Sequence, residues 1–390
     1  MIGEIFLLGL LGIYPVPEIV EKTAGPPPFR YPETQEANPS LRYVNGLPVL
    51  LAEGSPEAMG KTVGKYGLKP AKKAAAYPRE IMKKYGGGFL EPLLAKTGEK
   101  MFASFPTEYR KELAAIAEAS GETLEDLILG NTLFDIKKVV ACSGVAIEPQ
   151  ASSTGGLLLG RNLDYPSLGY IHQYTLVTVY RPEGKKAFAS IGFPGLIGCL
   201  SGINQDGLCL AIHEVIDIKA GLRKFNFSGL PFALCYRKVL EECSTVEEAL
   251  ALLEKLPRCS TTNLLIGDRK RAAVFEVSPD KIVERKAQEG VVACCNHFCS
   301  KELRPFFALN VRKSNQRFAT LEQFRQAEQK PGPKDILAAL DKVNLGKDTL
   351  QTMLFESQPL RLHLSFGNIP ASKGPFHTID LAPLLLNKKP

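Results

Sequence analysis

The feature that most constrains this chain is a succession of short β-branched or alternating runs after Asp135. SGVAIEP, GGLLLGRN, YTLVTVYR, FASIGF, GLCLAIHE, TNLLIGD, AAVFEV, KIVERK and VVACCN follow one another, separated by Gly, Pro, Asn, Asp and Ser. Such runs read as strands bounded by turns. Many short strands cannot bury their apolar faces singly, so they must stack as sheets. Helical patterns interrupt them: one opened by Ser244-Thr-Val-Glu247 and running to about Leu256, one over about Asn315–Gln326, and one over Lys334–Val343. The expected class is α+β, with stacked sheets covered by helices.

The first third reads as mainly helical. Helix formers dominate from Glu57 to Lys84, and Gly-Gly-Gly at 86–88 separates them from another helix. Residues 107–131 carry helical spacing broken at Ser120-Gly121, and Thr123 three residues before Asp126 is a capping signal. Residues 24–40, rich in proline and polar residues, read as an extended linker. Before it, the apolar run Ile5–Tyr14 is too short to span a bilayer. It leaves three readings: a signal-peptide core, a peripheral membrane attachment, or a buried apolar cap. Glu4, the lack of Lys or Arg ahead of the run and the lack of a small-x-small site weigh against export.

In 390 residues, 45% hydrophobic and 23% charged content excludes wholesale disorder. The net charge of +7 is spread along the chain, and no basic run is interleaved with aromatics, so nucleic acid is not an expected partner. Nine cysteines, an odd number at irregular spacing, do not make a disulfide framework; most are expected to be reduced and buried, which favours a cytoplasmic setting. The cluster Cys294-Cys295-Asn296-His297-Phe298-Cys299 lacks paired Cys-x-x-Cys spacing, and no metal is expected there. The loop Gly192-Phe-Pro-Gly195 with Gly198 lacks the Gly-Lys-Ser/Thr ending of a phosphate loop, so no cofactor is expected; Phe193 and Leu196 are candidates to shape an acyl pocket or merely to connect strands.

The chemistry is densest at Ala141-Cys142-Ser143-Gly144, followed after EPQASSTGG by Gly160-Arg161-Asn162-Leu163-Asp164-Tyr165. A hairpin of this kind returns the end of its second strand to the start of its first, so Cys142, Arg161 and Asp164 can converge.

These residues resemble cysteine N-terminal-nucleophile hydrolases: penicillin V acylases, bile salt hydrolases, acid ceramidase and, above all, the autoproteolytic acyl-coenzyme A:isopenicillin N acyltransferase group. The likeness spans about 42–385 and rests on Cys142-Ser-Gly, GRNLDY at 160–165, the turn Asn204-Gln-Asp-Gly-Leu208, and Asn296 ending a strand. SNQRF at 314–318 and the closing LHLSFGNIPASKGPFHTIDL add looser matches.

The resemblance implies a four-layer αββα sandwich, self-cleavage between Ala141 and Cys142, and an αβ heterodimer. Residues 1–40 would be an apolar segment and linker, 41–141 a mainly helical propeptide subunit that stays bound, and 142–390 the catalytic subunit. A cysteine freed at a chain terminus carries its own base, an α-amine of pKa about 7.7–8.0 beside the thiol. By matched position, Cys142 is the nucleophile, Asp164 binds the new α-amine, and Arg161 holds the thiolate and carboxylates and lowers the thiol pKa. Asn296 donates to the oxyanion and Arg317 braces the arrangement. Glu214 stands where relatives often have asparagine, and either it or His213 faces the site. The expected activity is cleavage of a linear amide, or transfer of its acyl group, through a Cys142 thioester. The rivals are hydrolysis of a β-alanyl-amine conjugate and a silent binding protein that keeps the fold without cutting itself.

Overall fold

Side-chain alternation along the strands sorts the core into layers, because successive residues of a strand point to opposite faces. In the computed structural model, which describes residues 28–35, 40–86, 91–136, 138 and 141–386, the strands form two sheets. The strands are β1 (Ser40–Val44), β2 (Leu47–Gly54), β3 (Ala141–Ile147), β4 (Leu158–Asp164), β5 (Leu176–Pro182), β6 (Phe188–Gly192), β7 (Ser201–Asn204) and β8 (Cys209–Glu214). They continue as β9 (Thr262–Gly267), β10 (Ala272–Val277), β11 (Ile282–Lys286), β12 (Val291–Cys294), β13 (Thr349–Glu356), β14 (Arg361–Phe366) and β15 (His377–Asp380). One sheet runs β1-β2-β5-β6-β7-β8-β9-β10-β11 and the other β12-β3-β4-β13-β14-β15. Neighbours are antiparallel except β2 and β5, which are parallel.

The inner faces meet through Ala146 and Leu159 from the smaller sheet and Val177, Ala189, Leu265 and Val274 from the larger. The larger sheet turns Leu50, Leu210, Ile212, Leu264 and Phe275 outward onto helices. Those helices are α1 (Pro56–Thr62), α2 (Lys72–Gly86), α3 (Glu91–Phe102), α4 (Thr107–Ser120), α5 (Leu124–Ile136), α6 (Phe232–Glu242) and α7 (Val246–Lys255). The smaller sheet turns Val145, Ile147, Leu158 and Leu354 onto α8 (Ser314–Glu322) and α9 (Pro333–Lys342), through Leu321, Ile336 and Leu340. A short α10 (Ala382–Leu385) follows β15. The result is helix, sheet, sheet, helix, an α+β sandwich in which apolar surface is buried at three interfaces.

Residues 40–141 do more than form helices. β1 and β2 are the edge of the larger sheet, joined through Asn45-Gly46 with both residues at positive φ, the hairpin signal that the helical reading of this region passes over. Part of the expected linker packs: Tyr31 is buried, its hydroxyl donates to Tyr174 O at 2.9 Å, and the Phe29 N–H donates to Gln173 Oε1 at 3.1 Å. The cap of α7 is Thr245 rather than Ser244, its Oγ1 accepting from the Glu248 N–H. The run Ile5–Tyr14, residues 24–27 and 36–39 of the expected linker, and Gly87 and Gly88 lie outside the described residues.

A buried ion cluster ties the N-terminal helices to the sandwich. Arg237 on α6 donates to both carboxylate oxygens of Glu112 on α4, at 2.9 and 2.7 Å, and to Glu241 at 2.7 Å. Glu241 also accepts from Tyr109 and Lys185. Such a cluster is costly to leave half-made, which makes it a strong positional lock.

Candidate active site

Cys142 is the second residue of β3 and lies between β12 and β4. Its side chain shares the inner face with Gly144 and Ala146, and Arg161, which pairs with Gly144, points the same way from β4. Arg161 is wholly buried. Its Nη2 donates to Cys142 Sγ at 2.8 Å and to Ile212 O at 3.1 Å, and its Nη1 to Ser201 Oγ and, at 3.5 Å, to Leu200 O. The guanidinium thus spans the sheets, its carbonyl and hydroxyl partners taking the place of the carboxylates expected from sequence. Gly144 is needed here for space: a Cβ would sit 2.8 Å from His213 Nε2 and 3.0 Å from Leu265 Cδ2.

The main chain of Cys142 is held as firmly as its thiol. Its N–H donates to Asn296 Oδ1 at 2.8 Å, where the asparagine following β12 replaces a ladder partner. Arg317 on α8 donates to Cys142 O at 2.5 Å and to the same Asn296 Oδ1 at 2.8 Å. The Asn296 Nδ2 donates to Glu214 O at 2.9 Å. Two obligatory donors on one atom and a carbonyl on the other fix the amide's orientation. One Nδ2 hydrogen is therefore engaged by Glu214 O.

Asp164, opposite Ala141 in the β3/β4 ladder, accepts from Thr349 Oγ1, while its buried Oδ2 has no hydrogen-bond partner. His213 and Glu214 separate by strand alternation: His213 lies against Gly144 between the sheets, while Glu214 lends its carbonyl to Asn296 and its charge to the Cys142 surroundings. Thus Cys142, Arg161, Asn296, Arg317 and the Glu214 main chain meet directly; the Asp164 side chain flanks them at the ladder end.

Burial dominates the electrostatics. It pushes the Cys142 thiol up to about 11, against the pull of Arg161 and with a further push from Asp164 and Glu214. Arg161 pulls the thiol pKa down, but desolvation outweighs it, so the thiol is protonated. Burial likewise raises the Asp164 carboxyl to about 6, opposed first by Arg317. His213 is held well below its usual value by burial and then by Arg161 and Arg317, so it stays neutral.

Four neighbours went unseen in the sequence. Ser201 and Thr349 serve Arg161 and Asp164, and Ser314 accepts from the Asn296 N–H at 2.9 Å. Lys138, three residues before Ala141, donates to Thr261 O and, at 3.4 Å, to Ser260 Oγ, with Asp135 and Glu214 nearby as opposite charges. Lone hydroxyls and one lysine carry no local motif. A cavity of about 60 Å³, reached by Tyr165 next to Asp164 in the chain, is walled by Leu68, Tyr77, Leu133 and Phe134 from one side of Cys142 in sequence, and by Tyr165, Phe193 and Leu196 from the other. All nine cysteines are free thiols, and among the described residues no three His, Cys, Asp or Glu side chains gather as a metal site.

Residues 151–368 match the family described as acyl-coenzyme A:6-aminopenicillanic acid acyl-transferase. The chain belongs to this family. This acyl-transferase family member is 24% identical over 238 residues to acid ceramidase of Balaenoptera acutorostrata scammoni, covering 54% of this chain and 58% of that protein. It is 23% identical over 282 residues to the N-acylethanolamine-hydrolyzing acid amidase of Caenorhabditis elegans, covering 69% of this chain and 72% of that one. The first curated relatives are matched over 54%, 35%, 58% and 47% of their own length, so the chain spans about half of them. Superposition on a single-residue variant of conjugated bile acid hydrolase from Clostridium perfringens gives a TM-score of 0.45 at 15% identity, covering 62% of this chain and 92% of that one.

Proposed function

We propose that this acyl-transferase family member is an amidase or acyltransferase that activates itself by cutting the Ala141–Cys142 bond. The observation that carries the reading is the grip on Cys142: Arg161 at 2.8 Å from the sulfur, Asn296 at 2.8 Å from the main-chain nitrogen, and Arg317 on the carbonyl. In the first step the thiol attacks the Ala141 carbonyl carbon. The C–N bond breaks, the Cys142 nitrogen takes a proton and becomes an α-amine, and Ala141 is left as a thioester on sulfur. Water then releases an Ala141 carboxylate and restores the thiol.

The new α-amine stays where the amide was, with Asn296 Oδ1 as an acceptor and the unpartnered Asp164 Oδ2 beside the strand end as a second. It then accepts the thiol proton when Cys142 attacks a substrate amide. Arg161 favours the thiolate, and Asn296 and the Arg317 guanidinium supply donors near the developing oxyanion. The acyl group passes to sulfur, the amine leaves protonated, and water or a second amine resolves the thioester.

The apolar walls of the cavity at Tyr165 favour an aliphatic or aromatic acyl group over a charged one. A cavity of this size takes only a few carbon atoms, so a longer acyl chain requires Leu133, Phe134 or Phe193 to move. The two relatives, by their names, act on ceramide and on N-acylethanolamines, and both of these are amides with an acyl group on nitrogen.

Denaturing mass spectrometry of wild type beside Cys142→Ala tests the first step. Fragments 1–141 and 142–390 from wild type alone support it; two intact proteins leave a silent scaffold. Wild type that splits is then offered N-acylethanolamines, penicillins and β-alanyl amines, and release of free amine from the first class supports the acyl preference.

A further inference from the structure

Two loops leave the active site from neighbouring strand ends. One follows Glu214 at the end of β8 and reaches α6; the other carries Asn296, follows β12, and reaches α8 with its Arg317. A small apolar cluster of Val215, Ile218, Phe298 and Leu303 packs them together, and the Lys219 N–H donates to Leu303 O at 2.8 Å. They form one surface at the rim of the site.

That surface exposes large apolar side chains. Phe306 and Phe307 are 93% and 85% exposed, and Leu309 is 50% exposed. The Phe306 and Phe307 rings touch only edge to face, at 4.7 Å between centroids. Single exposed apolar residues are ordinary, but three within four positions on a protruding loop are not. Two phenylalanine rings alone offer roughly 300–500 Å² of contact surface.

Cations surround the apolar tip. Lys219, Lys301, Arg304 and Lys313 are exposed, and no carboxylate among the described residues pairs with them. Glu302 is the acidic residue within 301–313, and Arg312, Arg223 and Lys224 are neutralised by Asp348, Asp280 and Asp217. An exposed apolar tip with a net-positive collar fits a surface that is apolar within and anionic outside.

We propose that these two loops dock the protein on anionic phospholipid bilayers, with Phe306 and Phe307 entering the headgroup boundary and the lysines and arginines facing lipid phosphates. Docking is independent of whether Cys142 is active. Its consequence is that the loops leading to the buried Asn296 and Arg317 face the lipid, where amides with long acyl chains reside.

The test is co-sedimentation of the full-length protein with vesicles of phosphatidylcholine alone and of phosphatidylcholine mixed with phosphatidylserine. Wild type is compared with Phe306→Ser/Phe307→Ser and with Lys301→Glu/Arg304→Glu. Residues 1–27 are present in all three proteins, so differences among them belong to the loops. Wild type is expected to sediment with the mixed vesicles and to be released by salt, and each double variant to bind about tenfold more weakly at an unchanged thermal midpoint. Wild type left in the supernatant, or a phenylalanine variant that binds as well as wild type, overturns the proposal. So does a wild-type dimer that the phenylalanine variant converts to monomer without any vesicle binding, since the patch would then join two copies.

Discussion

The main-chain N–H of Cys142 donates to Asn296 Oδ1 at 2.8 Å, and the same oxygen accepts from Arg317 at 2.8 Å. One side-chain atom therefore holds the Cys142 amide nitrogen and a guanidinium together. Removing it in Asn296→Ala leaves a buried N–H and a buried cation each short of an acceptor. Self-cleavage is expected to slow by about a hundredfold, and the folded chain to lose about 1–3 kcal/mol. A gel time course and a urea melt measure the two effects. A variant that processes at the wild-type rate would show that Asn296 has no part in the first step.

Before any cut no α-amine exists to take the thiol proton, and Asp164, a carboxylate whose charge acts on the Cys142 thiol, is the candidate base that this prediction tests. Its pKa, raised to about 6 by burial, sets the expected profile. Processing should quicken as pH rises through about 6 and level off above it, because only the ionised form accepts a proton. Asp164→Asn should remove this step from the profile. A rate that instead falls as pH rises through 6 would assign the base elsewhere.

Stability of the uncut Cys142→Ala protein should run the opposite way. Asp135 and Asp164 are both raised from 3.8 to about 6, mainly by burial. Between those values the folded chain keeps protons that the unfolded chain has lost. Their stabilising contribution is therefore complete below about pH 3.8 and is lost as pH rises through about 6. Asp135→Asn should flatten the slope between pH 4 and 6, by on the order of 1–3 kcal/mol at pH 7. Urea midpoints of the two proteins across that range give the comparison, and identical slopes would show that Asp135 does not titrate there.

Arg237 joins α4 to α6, on opposite sides of the proposed cut, through Glu112 and Glu241. Arg237→Gln strands the buried Glu112 carboxylate, while Glu241 keeps Lys185 and Tyr109, and should cost about 3–5 kcal/mol. In cleaved protein the fragments should then separate at a urea concentration that leaves wild type associated. Size-exclusion chromatography in urea reads this directly, and co-elution of the fragments at every concentration would mean that the strands of the larger sheet suffice to hold them.

Much of the fold was legible locally. Strands β3 to β6 and β8 to β12 fall on the apolar runs between 141 and 294, and the break at Ser120-Gly121 ends α4 with Gly121 in the left-handed conformation. The hairpin geometry of β3 and β4 also let Cys142 and Arg161 be placed together from spacing. Other features had a local signature that a stronger neighbouring pattern masked, or none at all. β1 and β2 lie in a region whose helix formers drew attention from Asn45-Gly46, and α6 follows a proline in a segment whose apolar residues recur at helical spacing but lie between strand runs. Ser201, Ser314 and Thr349 are ordinary hydroxyls until distant strands bring them to Arg161, Asn296 and Asp164.

The sequence by itself determined the layered α+β architecture, the family, and the candidates Cys142, Arg161, Asp164 and Asn296, because strand period, turn chemistry and motif spacing are properties of neighbours along the chain. The tertiary structure alone decided what those groups are like. Desolvation from both sheets makes the Cys142 thiol a weak acid despite Arg161, raises Asp164, and keeps His213 neutral. Alternation on β8 sends His213 between the sheets, and Asn296 is oriented by donors from two other elements. Burial and hydrogen-bond direction depend on what arrives from far along the chain, and no local pattern records them.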